Sequence, residues 1–475
     1  MLLKHYFLEK IAHSSYILAG KQTCAVIDPR RDVDIYINEA RDLGVTITHI
    51  LETHLHADFV SGHMDLAAIT GAKIYGPSSG NLKFEHVPVS EGDSINIEDM
   101  KLDVLETPGH TPEHIVYVVT DKSRSDSPIG VFVGDVLFVG DVGRPDLFPD
   151  IADELAGKLY HSLHDKLLKL PDYCEVYPAH GAGSLCGRSL GAKWTSTIGY
   201  ERRYNPSLQI KDKSEFTRSL TSNMPPAPDH FSRCSEINRN GPVLLSKLPA
   251  PEDLRPIDFL NRTQDPNSVV LDVRNYAAFA GFHIPGSWHL DLKGNFPTFA
   301  GWVIPEDKDI LMVADNHEEA IKATLWARRV GVDRIIAYLY GGVISWATDG
   351  YQIDHVHLIS SETLYRRITD GTQPLILVDV RAPLEFANRH IKGAINIPVS
   401  ELRYRHNELH RDKPVYLICS TGNRSSLGAS ILKQHGFKEV YNVAGGMTGY
   451  SAAGHIKQCN VCINPHGPRL IDISG

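Results

Sequence analysis

The sequence has little cysteine, no long apolar run and no excess of positive charge. Seven cysteines in 475 residues are too few, and odd in number, for a disulfide framework. They fit a reducing compartment, where cysteines act as buried thiols, ligands or nucleophiles. No run of about 18 apolar residues occurs, so no membrane span is expected. Lys and Arg number 48 against 57 Asp and Glu, a formal charge of −9, which argues against a nucleic-acid partner. A leader is also missing from the reading: Lys4, Glu9, Lys10 and His13 interrupt the first residues. These residues read instead as paired strands, with Ser15–Leu18 against Thr23–Ile27. A cytoplasmic protein is the expectation. Hydrophobic residues at 42% and charged residues at 22% are those of a folded chain, about three domains by length. What is plentiful is histidine, with 24 residues, and where these cluster is the first question.

Three regions separate. In residues 1–240, short apolar strands such as Ala25–Asp28, Ile47–Thr53, Leu102–Glu106 and Gly130–Gly134 alternate with helical stretches at Val33–Leu43, Ser61–Thr70 and Ala152–Leu168. That alternation predicts a layered α/β domain. Gly241–Pro256, with four prolines, reads as a linker. The remainder is an internal repeat. Val269–Arg274 (VVLDVR) and Ile376–Arg381 (ILVDVR) stand 107 residues apart, and Gly341-Gly342 faces Gly445-Gly446 at an offset of 104. Two copies of a parallel α/β unit are predicted, at 257–355 and 358–457, with a tail at 458–475.

The chemistry-bearing residues sit where strands end. His54-Leu55-His56-Ala57-Asp58, Gly109-His110-Thr111-Pro112-Glu113-His114, Gly134-Asp135 and Pro178-Ala179-His180 each follow a predicted strand. Strand-end loops are where α/β sheets present reactive groups. Imidazoles with a carboxylate suit a first-row divalent metal. Together these motifs resemble the metallo-β-lactamase superfamily, which implies an αββα sandwich over about the first 240 residues. In the superfamily's dinuclear hydrolases the pattern HxHxDH supplies two metals, whereas this chain has Phe59 at the last position. Phenylalanine cannot coordinate, so one metal is expected; rescue of a second site by a residue such as His63 stays open.

Gly134–Phe138, Gly143-Arg144-Pro145-Asp146, Leu159–His164 and Tyr204-Asn205-Pro206 resemble the persulfide dioxygenase branch. The resemblance implies one Fe(II) per chain on His54, His110 and Asp135, with zinc or a second metal less favoured. Three protein ligands leave roughly three positions for water, O2 and substrate sulfur. His56, Asp58 and His180 then orient ligands or move protons. Glu113 stands where glutathione-using members carry a small residue. His161 and His164 read as surface or cap residues.

The second copy ends a short apolar run, Val415–Ile418, at Cys419-Ser420-Thr421-Gly422-Asn423-Arg424, before a helix. Inward N–H groups, a helix N-terminus and Arg424 would cradle an anionic sulfur on Cys419. With Asp379-Val380-Arg381 and Gly445-Gly446, the copy resembles rhodanese, implying sulfur transfer through a cysteine persulfide. Counting back 17 residues from Gly331, as from Gly436 to Cys419, places Ala314 at the cysteine position of the first copy. Without cysteine or loop arginine, and with Asp315, Glu318 and Glu319 nearby, that copy is expected to be silent.

The expected architecture is a metallo-β-lactamase sandwich followed by two rhodanese-like α/β/α domains. The expected partners are a low-molecular-weight thiol persulfide, O2, and sulfite or thiosulfate; self-association is implied by resemblance only. A dinuclear-zinc thioester hydrolase resembling glyoxalase II competes with this reading, as does a non-enzymatic persulfide sensor or sulfur carrier. Cys186 follows His180 closely and is a candidate persulfide carrier near the iron. Cys459 and Cys462 form a lone CxxC read as ordinary thiols, and Cys24, Cys174 and Cys234 are read as structural.

Overall fold

A computed structural model of the chain describes residues 1–456, apart from 189, 223, 225, 226, 229, 295, 372 and 373, together with the backbone of 461–464 and 467–470. The Cys459/Cys462 pair lies outside the described side chains. Two compact units emerge, Met1–Leu248 and, for most of the rest, Pro249–Ala327 with Val332–Asn464. No helix among the described residues is long and apolar enough to cross a membrane.

The first unit is two six-stranded sheets laid face to face. One runs Leu2–Leu8, His13–Ala19, Thr23–Ile27, Thr46–Leu51, Lys73–Pro77, Val87–Val89; the other runs Ser196–Thr197, Glu175–Pro178, Gly130–Gly134, Ile115–Asp121, Met100–Glu106, Ser94–Ile97. Alternation along each strand explains the layering. Tyr16, Leu18, Ala25 and Ile27 point inward against Leu102, Val104, Tyr117 and Phe132 of the other sheet. Their neighbours Ile17 and Val26 point outward onto Tyr36, Ala40 and Leu66 of helices Asp34–Leu43 and His63–Thr70. Val116, Val118 and Val131 face Leu159, Phe216 and Leu220 on the opposite side. Helix, sheet, sheet, helix is the result.

The expected long helix from Ala152 to Leu168 is corrected by the structure. The α-helix ends at His161 and widens into a π-helical stretch, Ser162–Lys166. Ser162 Oγ donates to Pro108 O at 2.8 Å and Lys166 Nζ to Glu106 O at 2.7 Å. These bonds tie the widened turn to the loop that carries His110, a common setting for π-bulges.

In the second unit each copy has a five-stranded parallel sheet with the same strand order: Glu252–Leu254, Ile335–Leu339, Asp309–Val313, Ser268–Asp272, Trp288–His289, and then His357–Ile359, Val440–Val443, Val415–Ile418, Ile376–Asp379, Ile395–Asn396. Part of the expected linker is therefore structured. Glu252–Leu254 pairs with Ile335–Leu339 because Leu254 has apolar partners in the first copy's core. The repeated Asp-Val-Arg also has one geometry: Arg274 chelates Asp272 and donates to Phe282 O, while Arg381 chelates Asp379 and donates to Arg389 O.

Glu98 clasps the two sheets of the first unit together. It sits at φ +52° in the turn before Met100–Glu106, and its carboxylate accepts the N–H groups of Lys21, Gln22 and Thr23 at 2.8, 2.8 and 2.7 Å. Gly20 leaves it room, since a Cβ there would lie 2.6 Å from the carboxyl carbon. The donors, Lys21 first, hold the Glu98 carboxyl at about 2 rather than 4.5. A depressed carboxyl stabilises the fold above its unfolded value and loses that contribution as pH falls towards the folded one. Glu98→Gln should melt below wild type at neutral pH and converge on it as pH falls from about 4.5 towards 2. Circular-dichroism melts at stepped pH check this; a gap independent of pH contradicts it.

Candidate metal centre and sulfur-transfer loop

Loops leaving Thr46–Leu51, Met100–Glu106 and Gly130–Gly134 bring His54, His110 and Asp135 together, all buried, with donor atoms within 4.8 Å of one another. His54 Nε2 lies 3.7 Å and His110 Nε2 3.4 Å from Asp135 Oδ2. The far ring nitrogens fix both tautomers. Thr53 Oγ1 gives its proton to Asp28 Oδ2 at 2.9 Å, so it accepts from His54 Nδ1–H, also at 2.9 Å. His110 Nδ1–H donates to the carbonyl of Arg144 at 2.9 Å. Each Nε2 therefore carries a lone pair, is buried, and lacks a hydrogen-bond partner. Burial pushes both imidazoles below their ordinary value, keeping them neutral, as ligation requires.

Asp135 is held by its surroundings. Burial alone would raise its carboxyl, but His180, by charge and hydrogen bond, keeps it well below the usual range. His114 supports the backbone: its Nε2 accepts the Asp135 N–H at 3.0 Å, and burial drives its value to about 3. Gly134, at φ +50°, admits no side chain, because a Cβ would stand 2.5 Å from His114 Nε2. Two lone pairs and a carboxylate converging in a buried site fit a divalent cation.

The other predicted residues surround this trio. His56 turns to Asp28, with Nε2 3.2 Å from Oδ1, and Asp28, despite burial, raises it. His180 Nδ1 donates to Asp135 at 2.7 Å, and its Nε2 lies 2.9 Å from Asp58 Oδ2. Burial opposes its protonation, yet these two carboxylates hold His180 well above the ordinary value, as an imidazolium. Cys186 joins Asp58 and His180 in a second buried donor group. Burial, with Asp58 and Asp135, pushes its thiol well above the ordinary value. Phe59 packs on His13 and His56 at ring distances of 4.1 and 4.5 Å. His63 Nδ1 lies 3.3 Å from Glu52, and its ring stacks on Phe84. Glu113 is buried and accepts the Leu55 N–H at 2.9 Å, bracing the histidine loop. His161 pairs with Asp165 and His164 packs at a tilt against Tyr160, outside the cluster. The sequence reading missed His13, Asp28, Glu52 and His114. Only His114, inside the quoted motif, had a signal.

In the second unit, Cys419 is buried at the end of Val415–Ile418, and Sγ accepts from Gly422 N–H at 3.1 Å and lies 3.3 Å from Ser425 Oγ, whose proton goes to Asn442. Gly422, at φ +112°, caps helix Asn423–Gln434. Ser425 also lies 2.6 Å from Asn442 Oδ1, and Asn442 Nδ2 donates to Gly422 O at 3.1 Å. Arg424 differs from expectation. Its guanidinium is committed to Glu385, at 2.6 and 2.9 Å, and to Ser420 Oγ at 2.7 Å. Burial would raise Glu385, but Arg424 holds it low, so the pair is ionised and internally neutral. A buried guanidinium needs such compensation, so Arg424 frames the loop rather than lending it a full charge. Ser420, Thr421, Gly422 and Asn423 make the loop itself, with Thr421 exposed. The first copy keeps the backbone without the sulfur: a Cβ on Gly342 would sit 2.8 Å from Ala314 O, as one on Gly446 would sit 2.2 Å from Cys419 O.

The sequence matches the Metallo-beta-lactamase superfamily over residues 9–180 and the Rhodanese-like domain over residues 256–349 and 360–453. It is 30% identical over 240 residues to the mitochondrial persulfide dioxygenase ETHE1 of Mus musculus, spanning 49% of this chain and 85% of that protein. It is 29% identical over 219 residues to a hydroxyacylglutathione hydrolase of Pseudomonas entomophila, spanning 46% of this chain and 80% of the relative. Among solved structures, a metallo-beta-lactamase from Staphylococcus aureus superposes with a TM-score of 0.65 at 34% identity, covering 71% of this chain and 99% of that one.

Outer partners of metal-binding histidines tune affinity. Thr53→Val, which removes the acceptor for His54 Nδ1–H, should weaken divalent-metal binding about 10- to 100-fold. Chelator competition on the folded protein measures it; unchanged affinity overturns the role given to Thr53.

Proposed function

Because the chain belongs to the metallo-beta-lactamase superfamily, here joined to two rhodanese-like domains, we propose that it oxidises a thiol persulfide with O2 and transfers sulfane sulfur at Cys419. The similarity to persulfide dioxygenases and hydrolases makes it a metal-dependent enzyme of sulfur metabolism. The observation that carries the finer reading is the trio His54, His110 and Asp135 with Phe59 in the position of a further donor. One Fe(II) held by these three residues would supply activation of O2 for oxidation of a substrate sulfur. Overall, a persulfide, O2 and water give the free thiol and sulfite.

The chain's own residues prepare that reaction. Thr53 and Arg144 O orient the two imidazoles, and His114 fixes the backbone of Asp135. The His180 imidazolium, between Asp135 and Asp58, holds a proton at Nε2 next to the cluster and is placed to give it up or regain it as sulfite leaves. At the second site the Cys419 thiolate takes the outer sulfur of thiosulfate and releases sulfite, or passes sulfane sulfur in the reverse sense. A persulfide on Cys186 meets an electrostatic obstacle, since Asp58 and Asp135 disfavour the thiolate that must attack.

One observation favours a second reading, thioester hydrolysis at two zinc ions: Asp58, His180 and Cys186 form a second donor group beside the first. Anaerobic purification with metal analysis, then O2 uptake and sulfite release with a thiol persulfide, separates the two. About one iron per chain with persulfide-dependent O2 uptake is expected. Two zinc ions and thioester hydrolysis without O2 uptake overturn the proposal.

Substitutions separate the sites in the same assay. Cys419→Ser should abolish sulfur transfer while O2 uptake with added persulfide persists; loss of both in a folded variant contradicts two independent sites. Cys186→Ser should leave turnover and persulfide labelling unchanged; loss of label restores Cys186 as a sulfur carrier.

A further inference from the structure

We propose that the cysteine-less copy sets the acceptor specificity of the Cys419 loop, with Tyr276 as the residue that narrows its mouth. This rests on the sulfur-transfer reading of Cys419. Both copies lie in one compact unit, and the stretch of the first copy from Tyr276 to Val303 packs on the reactive end of the second. The contact is specific: His289 N–H donates to the buried Ser430 Oγ at 3.1 Å, Arg403 Nη1 to Trp302 O at 2.6 Å, and Lys433 pairs with Asp354 at 3.0 Å.

Two glycines permit the closest approach. A Cβ on Gly422 would stand 3.1 Å from Cζ of Tyr276, and one on Gly294 would stand 3.0 Å from Asn423 Nδ2. Gly422 is also the residue whose N–H reaches Cys419 Sγ. The phenol end of Tyr276 thus lies one peptide unit from the sulfur cradle. Beside it, Leu290, Phe296 and Phe299 of the first copy meet Asn423, Arg424 and Leu427 of the second around a cleft of about 20 Å³, room for about one water. The cysteine itself is only 1% exposed.

Transfer through this mouth is two displacements. The Cys419 thiolate attacks the outer sulfur of thiosulfate; the new S–S bond forms as the old one breaks, and sulfite leaves with its electron pair. An acceptor anion then attacks that outer sulfur, and the Cys419 thiolate leaves. No oxidant is consumed. Each attack must come in line with the breaking S–S bond, so the wall beside the line of approach selects by size. Tyr276 admits a compact anion such as cyanide or sulfite and hinders a branched thiol such as a tripeptide.

The test uses the full-length protein and Tyr276→Ala, with Tyr276→Phe as the variant that keeps the ring and Tyr276→Leu as a second truncation retaining helix packing. Alkylation of Cys419 by iodoacetamide and by a fluorescein maleimide is followed by peptide mass spectrometry. Sulfur transfer from thiosulfate is measured with cyanide and with glutathione. Tyr276→Ala and Tyr276→Leu should raise the maleimide rate and the glutathione-to-cyanide ratio about tenfold, while iodoacetamide changes less than about twofold and Tyr276→Phe follows wild type. Equal changes for small and bulky reagents, or none, overturn the proposal. If wild type transfers no sulfur, the alkylation arm still reports on Tyr276, so the two failures are distinguishable.

Discussion

The N-terminal unit depends on one buried carboxylate. Asp135 faces His54 and His110 on one side and the His180 imidazolium on the other, while its amide is bonded to His114. Four loops from two sheets are therefore registered against a single side chain. An ion stripped of water survives only with such partners, and removing one partner of a buried pair costs about 3–5 kcal/mol. The same requirement explains the glycine before it. Only a residue without Cβ lets the strand end reach His114 and Thr53 together.

The Cys419 loop solves a different problem with similar means. The Gly422 N–H reaches the sulfur, while Arg424 and Glu385 pair with one another behind the loop. In the first copy the two equivalent positions hold Glu319 and Ala278, so the pair is missing from both sides at once.

The layered architecture and the repeat were legible because each has a local signature: alternating apolar residues mark strands and a 107-residue offset marks the duplication. The strand-end motifs pointed to a donor cluster, and only the resemblance to persulfide dioxygenases singled out His54, His110 and Asp135 within it. Pairings set by distant segments were not legible. Asp28 and Glu52 carry no motif, yet they decide where His56 points. Glu385 sits 39 residues from Arg424, in a helix's first turn where acidic residues are commonplace. The helix over Ala152–Leu168 has a continuous apolar face, and only the bonds to Pro108 and Glu106 reveal where it widens.

The paired glycines at 341–342 and 445–446 have a wider meaning. Gly342 is pressed against a carbonyl in a loop that bears no reactive atom, just as Gly446 is in the loop that does. Such glycines record how closely two turns of chain must pass, whatever side chains the turns carry. In a tandem chain of this kind, Gly-Gly and Asp-x-Arg are marks of scaffold inheritance and are poor witnesses to chemistry. The cysteine and the distant glutamate that pairs with the loop arginine are what distinguish the second copy from the first.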